Sequence, residues 1–303
     1  MQIKIGTRNS PLAMWQAKEV EQKLQNLGYE TILVPVLSSG DKNLNQPLYS
    51  LGITGVFTKD LDIALLNNEI DIAVHSLKDV PTILPQNIEI SAVLERDFPQ
   101  DVLVRKAASK NKNLSELKIA TSSLRRRAFW LEQFPNTEFS DIRGNVQTRL
   151  KKLDGGDFDA TLFSLAGIKR MELELDYEFL DFMISAPSQG VVAIASRIDD
   201  LKIKEIITQI NHKETQACIE IERNFLNALE GGCTAPIGAL ARYNNGEIQF
   251  YGKLNSLDGT KTINIVEKFS YNETENYGEK FAEIILDKGG REMMQEIKKQ
   301  IKS

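Results

Sequence analysis

The 303-residue sequence predicts an α/β chain with two βα domains built on parallel sheets, followed by a smaller α+β domain with an antiparallel sheet. Three observations carry that expectation. Short apolar runs alternate with helical periodicities through the first two-thirds of the chain, and such alternation implies parallel strands with ligands gathered outside their carboxyl ends. Past about residue 212 the pattern changes to period-two runs separated by Asn-Asn-Gly and Asp-Gly, which are hairpin turn signals. Finally, 42% hydrophobic residues, 26% charged residues, 19 Gly and 9 Pro are ordinary globular values, so disordered, collagen-like and disulfide-scaffold classes are excluded.

In chain order, Ile3 to Gly6 reads as a strand and Thr7, Arg8 and Asn9 as a turn. Ser10 is the N-cap, Pro11 the first helical residue, and a helix is expected as far as Gly28 with Ala13, Ala17, Val20, Leu24 and Leu27 on one face. Residues 38–58 sustain no period; a stretch of this length is a functional lid or disordered, and Lys42 to Ile53 is expected to be mobile and to cover a cleft. Strands follow at 70–77, at Lys118 to Thr121 and at 158–165, with Ser122 and Ser123 as turn and cap before a helix from Leu124. A helix from Glu214 to Leu229 leads into GGCTAPIG, then runs at 237–243, 247–255 and 261–269, and a helix from Glu273 to Lys288. No internal repeat is legible.

Charge narrows the function. The net charge is −5, yet residues 101–170 hold 14 Lys or Arg against 8 Asp or Glu. An acidic chain with one basic region suggests a small anionic ligand rather than nucleic acid, against the alternative of solvated helix faces. Arg8, Arg125, Arg126, Arg143 and Arg149 stand near helix starts, where cations are unfavourable unless an anion is bound; that cost favours the ligand reading. Arg127 is expected to point outward, since three consecutive helical residues cannot share a face. Asp79, in HSLKDVPT after an apolar strand, is a candidate for proton transfer or for stabilising a cation, or else an ordinary polar turn. His75 reads as a core histidine. Cys233, flanked by Gly232 and Thr234, is a candidate nucleophile or attachment point, whereas Cys218 reads as packed in a helix. Neither cysteine has metal-ligand spacing, so no metal is expected. No window approaches the roughly 18 apolar residues of a membrane span, and Met1 to Gly6 has no signal-peptide character, so a cytoplasmic protein without a membrane partner is expected.

Taken together, TRNSPLAMWQA (7–17), DIAVHSLKDVP (71–81), TSSLRRR (121–127), RGNVQTRLKKL (143–153), AGIKR (166–170) and LEGGCTAPIG (229–238) make the chain resemble the porphobilinogen deaminases, also called hydroxymethylbilane synthases. The resemblance implies a transferase of tetrapyrrole synthesis that joins four porphobilinogen molecules head to tail, releasing ammonia, on a dipyrromethane cofactor held by Cys233 through a thioether. It implies Asp79 as the catalytic carboxylate; Lys78, Ser123, Arg125, Arg126 and Arg143 as cofactor-binding residues; and Arg8, Ser10, Arg149, Arg170 and Gln189 as substrate-binding residues. The implied fold has two domains resembling type II periplasmic binding proteins, 1–97 with 191–211 and 98–190, and a third, 212–303, that carries the cysteine. A monomer is implied, passing its product to a downstream tetrapyrrole enzyme. The sequence departs from the family pattern at Thr54 and Ser50, where relatives carry lysines, and at Ser188, which precedes Gln189 and Gly190 in place of a GQG-type turn. The rival reading is a periplasmic-binding-protein-like protein that holds a small anion.

Overall fold

The computed structural model describes residues 2–37, 58–230 and 235–302. In chain order the strands are β1 (Gln2–Arg8), β2 (Glu30–Val36), β3 (Ile72–Ser76), β4 (Ile88–Val93), β5 (Asp101–Arg105), β6 (Ile119–Ala120), β7 (Phe139–Ser140), β8 (Ala160–Ser164), β9 (Glu178–Phe179), β10 (Val192–Arg197), β11 (Ile237–Asn244), β12 (Glu247–Asn255) and β13 (Thr262–Ser270). The α-helices are α1 (Pro11–Asn26), α2 (Lys59–Leu66), α3 (Leu124–Gln133), α4 (Val146–Gly155), α5 (Leu165–Arg170), α6 (Leu201–Ile207), α7 (Lys213–Ala228), α8 (Tyr277–Ile285) and α9 (Arg291–Lys302). The described residues fall into two units: 2–37 with 58–97 and 190–217, and 98–189 with 218–230 and 235–302.

The first unit is a sheet of order β2-β1-β3-β10-β4. β1 runs parallel to β2 and β3, while β10 runs antiparallel to β3 and β4. One face packs Ile3, Ile5, Ile72, Val192 and Ile194 against Ala17, Val20 and Leu24 of α1. That is the expected helix face, except that Leu27 lies past the helix end and is 44% exposed. Leu61 and Leu65 of α2 cover the other face with Ile70 and Ala73. Gly6 has no room for a side chain, because a β-carbon there would collide with Ile70.

The second unit holds two sheets. The five-stranded one has the order β7-β6-β8-β5-β9, with β6 parallel to β7 and β8 and with β5 antiparallel to β8 and β9. Both large sheets are therefore parallel frames with one antiparallel strand in the fourth place. Each inserted strand follows a crossing of the chain between units, β5 after residue 97 and β10 after residue 189. The likeness extends to a local lock. Lys4 N donates to Asp71 Oδ2 at 2.8 Å while Asp71 N donates to Lys4 O at 2.9 Å; Lys118 N donates to Asp159 Oδ2 at 2.9 Å while Asp159 N donates to Lys118 O at 2.8 Å. DIAVHSLKD (71–79) and DATLFSLAG (159–167) thus occupy equivalent places, an internal correspondence that the sequence expectation missed because the two segments share little beyond Asp, Ser and Leu.

The third sheet, β11-β12-β13, is the antiparallel one the turn signals predicted. Phe250 on it stacks on Phe281 of α8 with centroids 4.9 Å apart and meets Phe225 of α7 edge-on. It docks on α3 through a largely buried network: Lys253 Nζ lies 2.5 Å from Glu132 Oε2, which also accepts from Asn255 Nδ2 at 2.8 Å. The last predicted helix, Glu273 to Lys288, is the shorter α8, and a further helix that the sequence reading did not predict, α9, follows it. Asn276 caps α8 by accepting from Glu279 N, and Gly289, at φ +100°, turns the chain into α9. Among the described residues no helix is long and apolar enough to cross a membrane.

Candidate functional site

In the first unit, β1 and β3 are parallel neighbours, so their carboxyl ends open on one edge of the sheet. β1 ends at Arg8, and Ser10 then caps α1 by accepting from Ala13 N at 3.3 Å, which leaves its hydroxyl proton free to donate. β3 ends at Ser76 and continues into a single 3₁₀ turn, Leu77–Asp79, closed by Val80 N donating to Leu77 O. An open pocket of about 420 Å³ lies there, lined by Arg8, Ser10, Gln16, Thr58, His75 and Asp79 among others. Arg8, Ser10 and Asp79, three of the sequence-predicted residues, are therefore brought together. Lys78 shares the turn and is half-buried. His75 is buried as expected but also lines this pocket; burial first, and the charge of Arg8 second, lower its pKa to about 4, so it is neutral at pH 7.

In the second unit, Ser123 caps α3 by accepting from Arg126 N, as expected. Arg125 and Arg126 follow in the first turn, only 6% and 7% exposed. Both converge on a residue that the sequence reading missed. Asp101 Oδ1 accepts from Arg126 Nε at 3.0 Å and Nη2 at 2.7 Å, and Oδ2 lies 2.7 Å from Arg125 Nη1. The two guanidinium charges hold the Asp101 carboxyl far below the usual carboxylate range despite its burial. A lone acid opening the apolar run DVLV was the available signal.

Arg149, on α4, shares an acceptor with Arg126: its Nη2 donates to Leu162 O at 2.6 Å and Arg126 Nη1 donates to the same oxygen at 2.7 Å. Its guanidinium lies over Phe163, 4.4 Å from the ring centroid, and its Nε is buried without a hydrogen-bond partner. Burial, then the nearby Arg126 charge, lowers its pKa to about 9, still protonated at neutral pH. Arg143 is half-buried, just before Gly144 and the α4 cap Asn145. Arg170 is buried at the end of α5, where a cation suits the helix dipole. Gln189, 1% exposed, donates from Nε2 to Pro99 O at 2.7 Å and to Asp101 Oδ1 at 3.2 Å. Arg127 does not simply point outward; it donates to Thr121 O and Asp141 and ties α3 to the sheet edge. The basic surplus of 101–170 is also smaller than the count suggested, because Glu178 and Asp176, just beyond that window, pair with Arg105 and Lys110. Cys218 is packed in α7, 4% exposed. Cys233, Ser50, Thr54 and the expected lid at 42–53 lie outside the described residues.

Residues 3–205 match the family model described as "Porphobilinogen deaminase, dipyromethane cofactor binding domain", and residues 216–287 match "Porphobilinogen deaminase, C-terminal domain". The chain belongs to the porphobilinogen deaminase family. The porphobilinogen deaminase of Desulfitobacterium hafniense is 40% identical over 302 residues, covering 98% of this chain and 97% of that one. A probable porphobilinogen deaminase of Methanocaldococcus jannaschii is 48% identical over 244 residues, covering 80% and 83%. The periplasmic VFT2 domain of Bordetella pertussis BvgS covers 69% of this chain and 86% of its own, at 12% identity and a TM-score of 0.41, too distant to argue for a receptor.

The residues present fit the cofactor named in the porphobilinogen deaminase family description. A dipyrromethane carries two carboxylates on each pyrrole, and the second unit offers clustered guanidiniums, one of which retains a buried N–H with nothing to donate to. An unmet buried donor on a charged group is costly, and a bound carboxylate is the acceptor that would relieve it.

Proposed function

We propose that this chain joins four porphobilinogen molecules head to tail, with release of ammonia at each addition, to give the linear hydroxymethylbilane. When bound, the dipyrromethane attached through Cys233 supplies the primer from which the chain extends. The observation that carries the reading is the convergence of Asp79, Arg8 and Ser10 on one pocket of a chain of this family.

Arg8 and Ser10 bind the incoming substrate: the guanidinium takes a carboxylate as a forked partner, and the Ser10 hydroxyl donates from a rotamer fixed by its capping bond. Loss of the substrate's aminomethyl nitrogen as ammonia leaves a cationic azafulvene, and the Asp79 carboxylate stabilises that charge. His75, neutral beside Arg8, adds no further positive charge to the pocket. Arg149 and Arg170 hold acetate and propionate groups of the growing chain, and Lys78, Ser123, Arg125, Arg126 and Arg143 those of the primer. The protein acts in the cytoplasm as a monomer and hands its product to a downstream tetrapyrrole enzyme.

Intact mass with peptide mapping is the test. The wild-type chain should carry two linked pyrrole units on Cys233; Cys233→Ser should lose both adduct and activity, and Cys218→Ser should keep both. An adduct on Cys218, or full activity without an adduct, overturns the mechanism.

A further inference from the structure

We propose that Asp101 is a positioning residue for the arginine site, a built-in counter-anion that holds Arg125 and Arg126 from their inner side and so fixes the two guanidiniums beside each other for the carboxylates of the primer. The inference rests on the proposed function above. Successive residues on a helix project about 100° apart, so neighbouring guanidiniums diverge unless something draws them together. Here a carboxylate with a fully buried side chain does so, accepting from Nε and Nη2 of Arg126 on Oδ1 and forming an ion pair through Oδ2 with Nη1 of Arg125, 2.7 Å away. Outer anchors complete the cage: Arg125 Nη1 donates to Ile184 O at 2.7 Å, and Arg126 Nη1 to Leu162 O. Gln189 adds a further donor to Asp101 Oδ1, and its hold on Pro99 O fixes the strand start from which Asp101 projects.

Charge gives this arrangement a purpose. Neighbouring guanidiniums repel one another; a shared acid offsets one charge and lets Arg125 and Arg126 stand side by side toward the primer's carboxylates. Asp101 does not touch the reacting atoms in this scheme. It acts through the arginines.

Two variants test the assignment in the full-length protein, with thermal unfolding measured alongside. Asp101→Asn presents a donor where Arg125 needs an acceptor. Asp101→Glu keeps the charge and moves it by one methylene. The fraction of folded chains carrying dipyrromethane, read by intact mass, should fall roughly tenfold in Asp101→Asn and less in Asp101→Glu, with the KM for porphobilinogen of the loaded fraction changed little because other residues bind the substrate. A purely structural acid would lower thermal stability and leave the loaded fraction of folded chains alone. If Asp101→Asn does not fold, Asp101→Glu decides: an unaltered loaded fraction there overturns the proposal. Wild-type protein that does not consume porphobilinogen overturns the proposed function and this inference together, whereas active wild type with unaltered variants removes only the role of Asp101.

Discussion

After β3 the chain turns through Ser76, Leu77, Lys78 and Asp79; at the equivalent place after β8 it turns through Ser164, Leu165, Ala166 and Gly167. One residue earlier, His75 stands where the other sheet has Phe163. The frames agree to the level of the lock between a lysine backbone and an aspartate, Lys4 with Asp71 and Lys118 with Asp159. Their contents do not. The first unit places a carboxylate and a neutral imidazole beside one arginine. The second has no acid at that turn, and an aromatic ring lies under Arg149 instead. The frame supplies an edge where strand ends converge, and the residues on it divide the work: the half with Asp79 can stabilise a positive charge, and the half with guanidiniums can bind negative ones. A carboxylate at the Gly167 turn would compete with ligands for those guanidiniums; the one acid the described cluster does hold, Asp101, is buried beneath it.

The largest expected effect comes from removing the charge that distinguishes the first half. Asp79→Asn is nearly isosteric on a turn that Leu77 anchors in the core, so folding should survive. Turnover should fall by roughly 10²–10⁴, the range for a positioned charged group acting in the transition state. Near-normal turnover in steady-state assays would erase the asymmetry.

A second test puts one half's residue into the other. His75 is neutral in the fold, with its pKa lowered from 6.5 to about 4, so the unfolded chain binds the extra proton between those values. Its contribution to stability is present above pH 6.5 and lost as the pH falls toward 4, amounting to roughly 3 kcal/mol. His75→Phe, which copies the Phe163 of the other sheet, should flatten that part of the stability profile in denaturant titrations. An equally steep acid slope in the variant would place its origin elsewhere.

Much of this division was legible in the sequence, and the reasons are physical. Caps and turns are local, so Ser10, Ser123 and the hairpin signals announced the elements that carry the site. The arginines were visible because cations near helix starts call for an explanation. Asp101 was not, since its meaning depends on α3 packing across the sheet 24 residues away in sequence, and nothing in DVLVR states what will face it. The antiparallel strands β5 and β10 were hidden for a similar reason: a buried strand is apolar whichever way it runs, and its direction is set by where the chain crosses between units.

Arg149 sharpens the anion-binding half. Arg149→Ala should weaken binding by roughly 1.5–3 kcal/mol, or about one to two decades in KM, while the fold persists on buried Leu153 and the partly buried Val146 and Leu150 of α4. Arg149→Lys should recover only part, because a point charge reproduces neither the forked donors nor the stacking on Phe163. Full recovery by lysine would reduce the site to bulk charge.

The smallest effect lies where the chain passes from the second unit back to the first. Ser188 is 1% exposed and has φ +64°, a left-handed conformation that costs an L-residue about 1 kcal/mol, and its buried Oγ has no hydrogen-bond partner. The turn is held by its backbone, Ser188 N donating to the buried Glu222 carboxylate at 2.7 Å, which a glycine would keep. Ser188→Gly gives up some entropy through the looser unfolded chain but removes both the strain and the orphaned hydroxyl, so a net gain of about 1 kcal/mol is expected. In thermal unfolding the variant should melt a few degrees higher, with KM unchanged. A lower melting temperature would mean that the hydroxyl itself supports the turn at which the chain crosses, and the strain at Ser188 would then be held in place by its side chain rather than tolerated by its backbone.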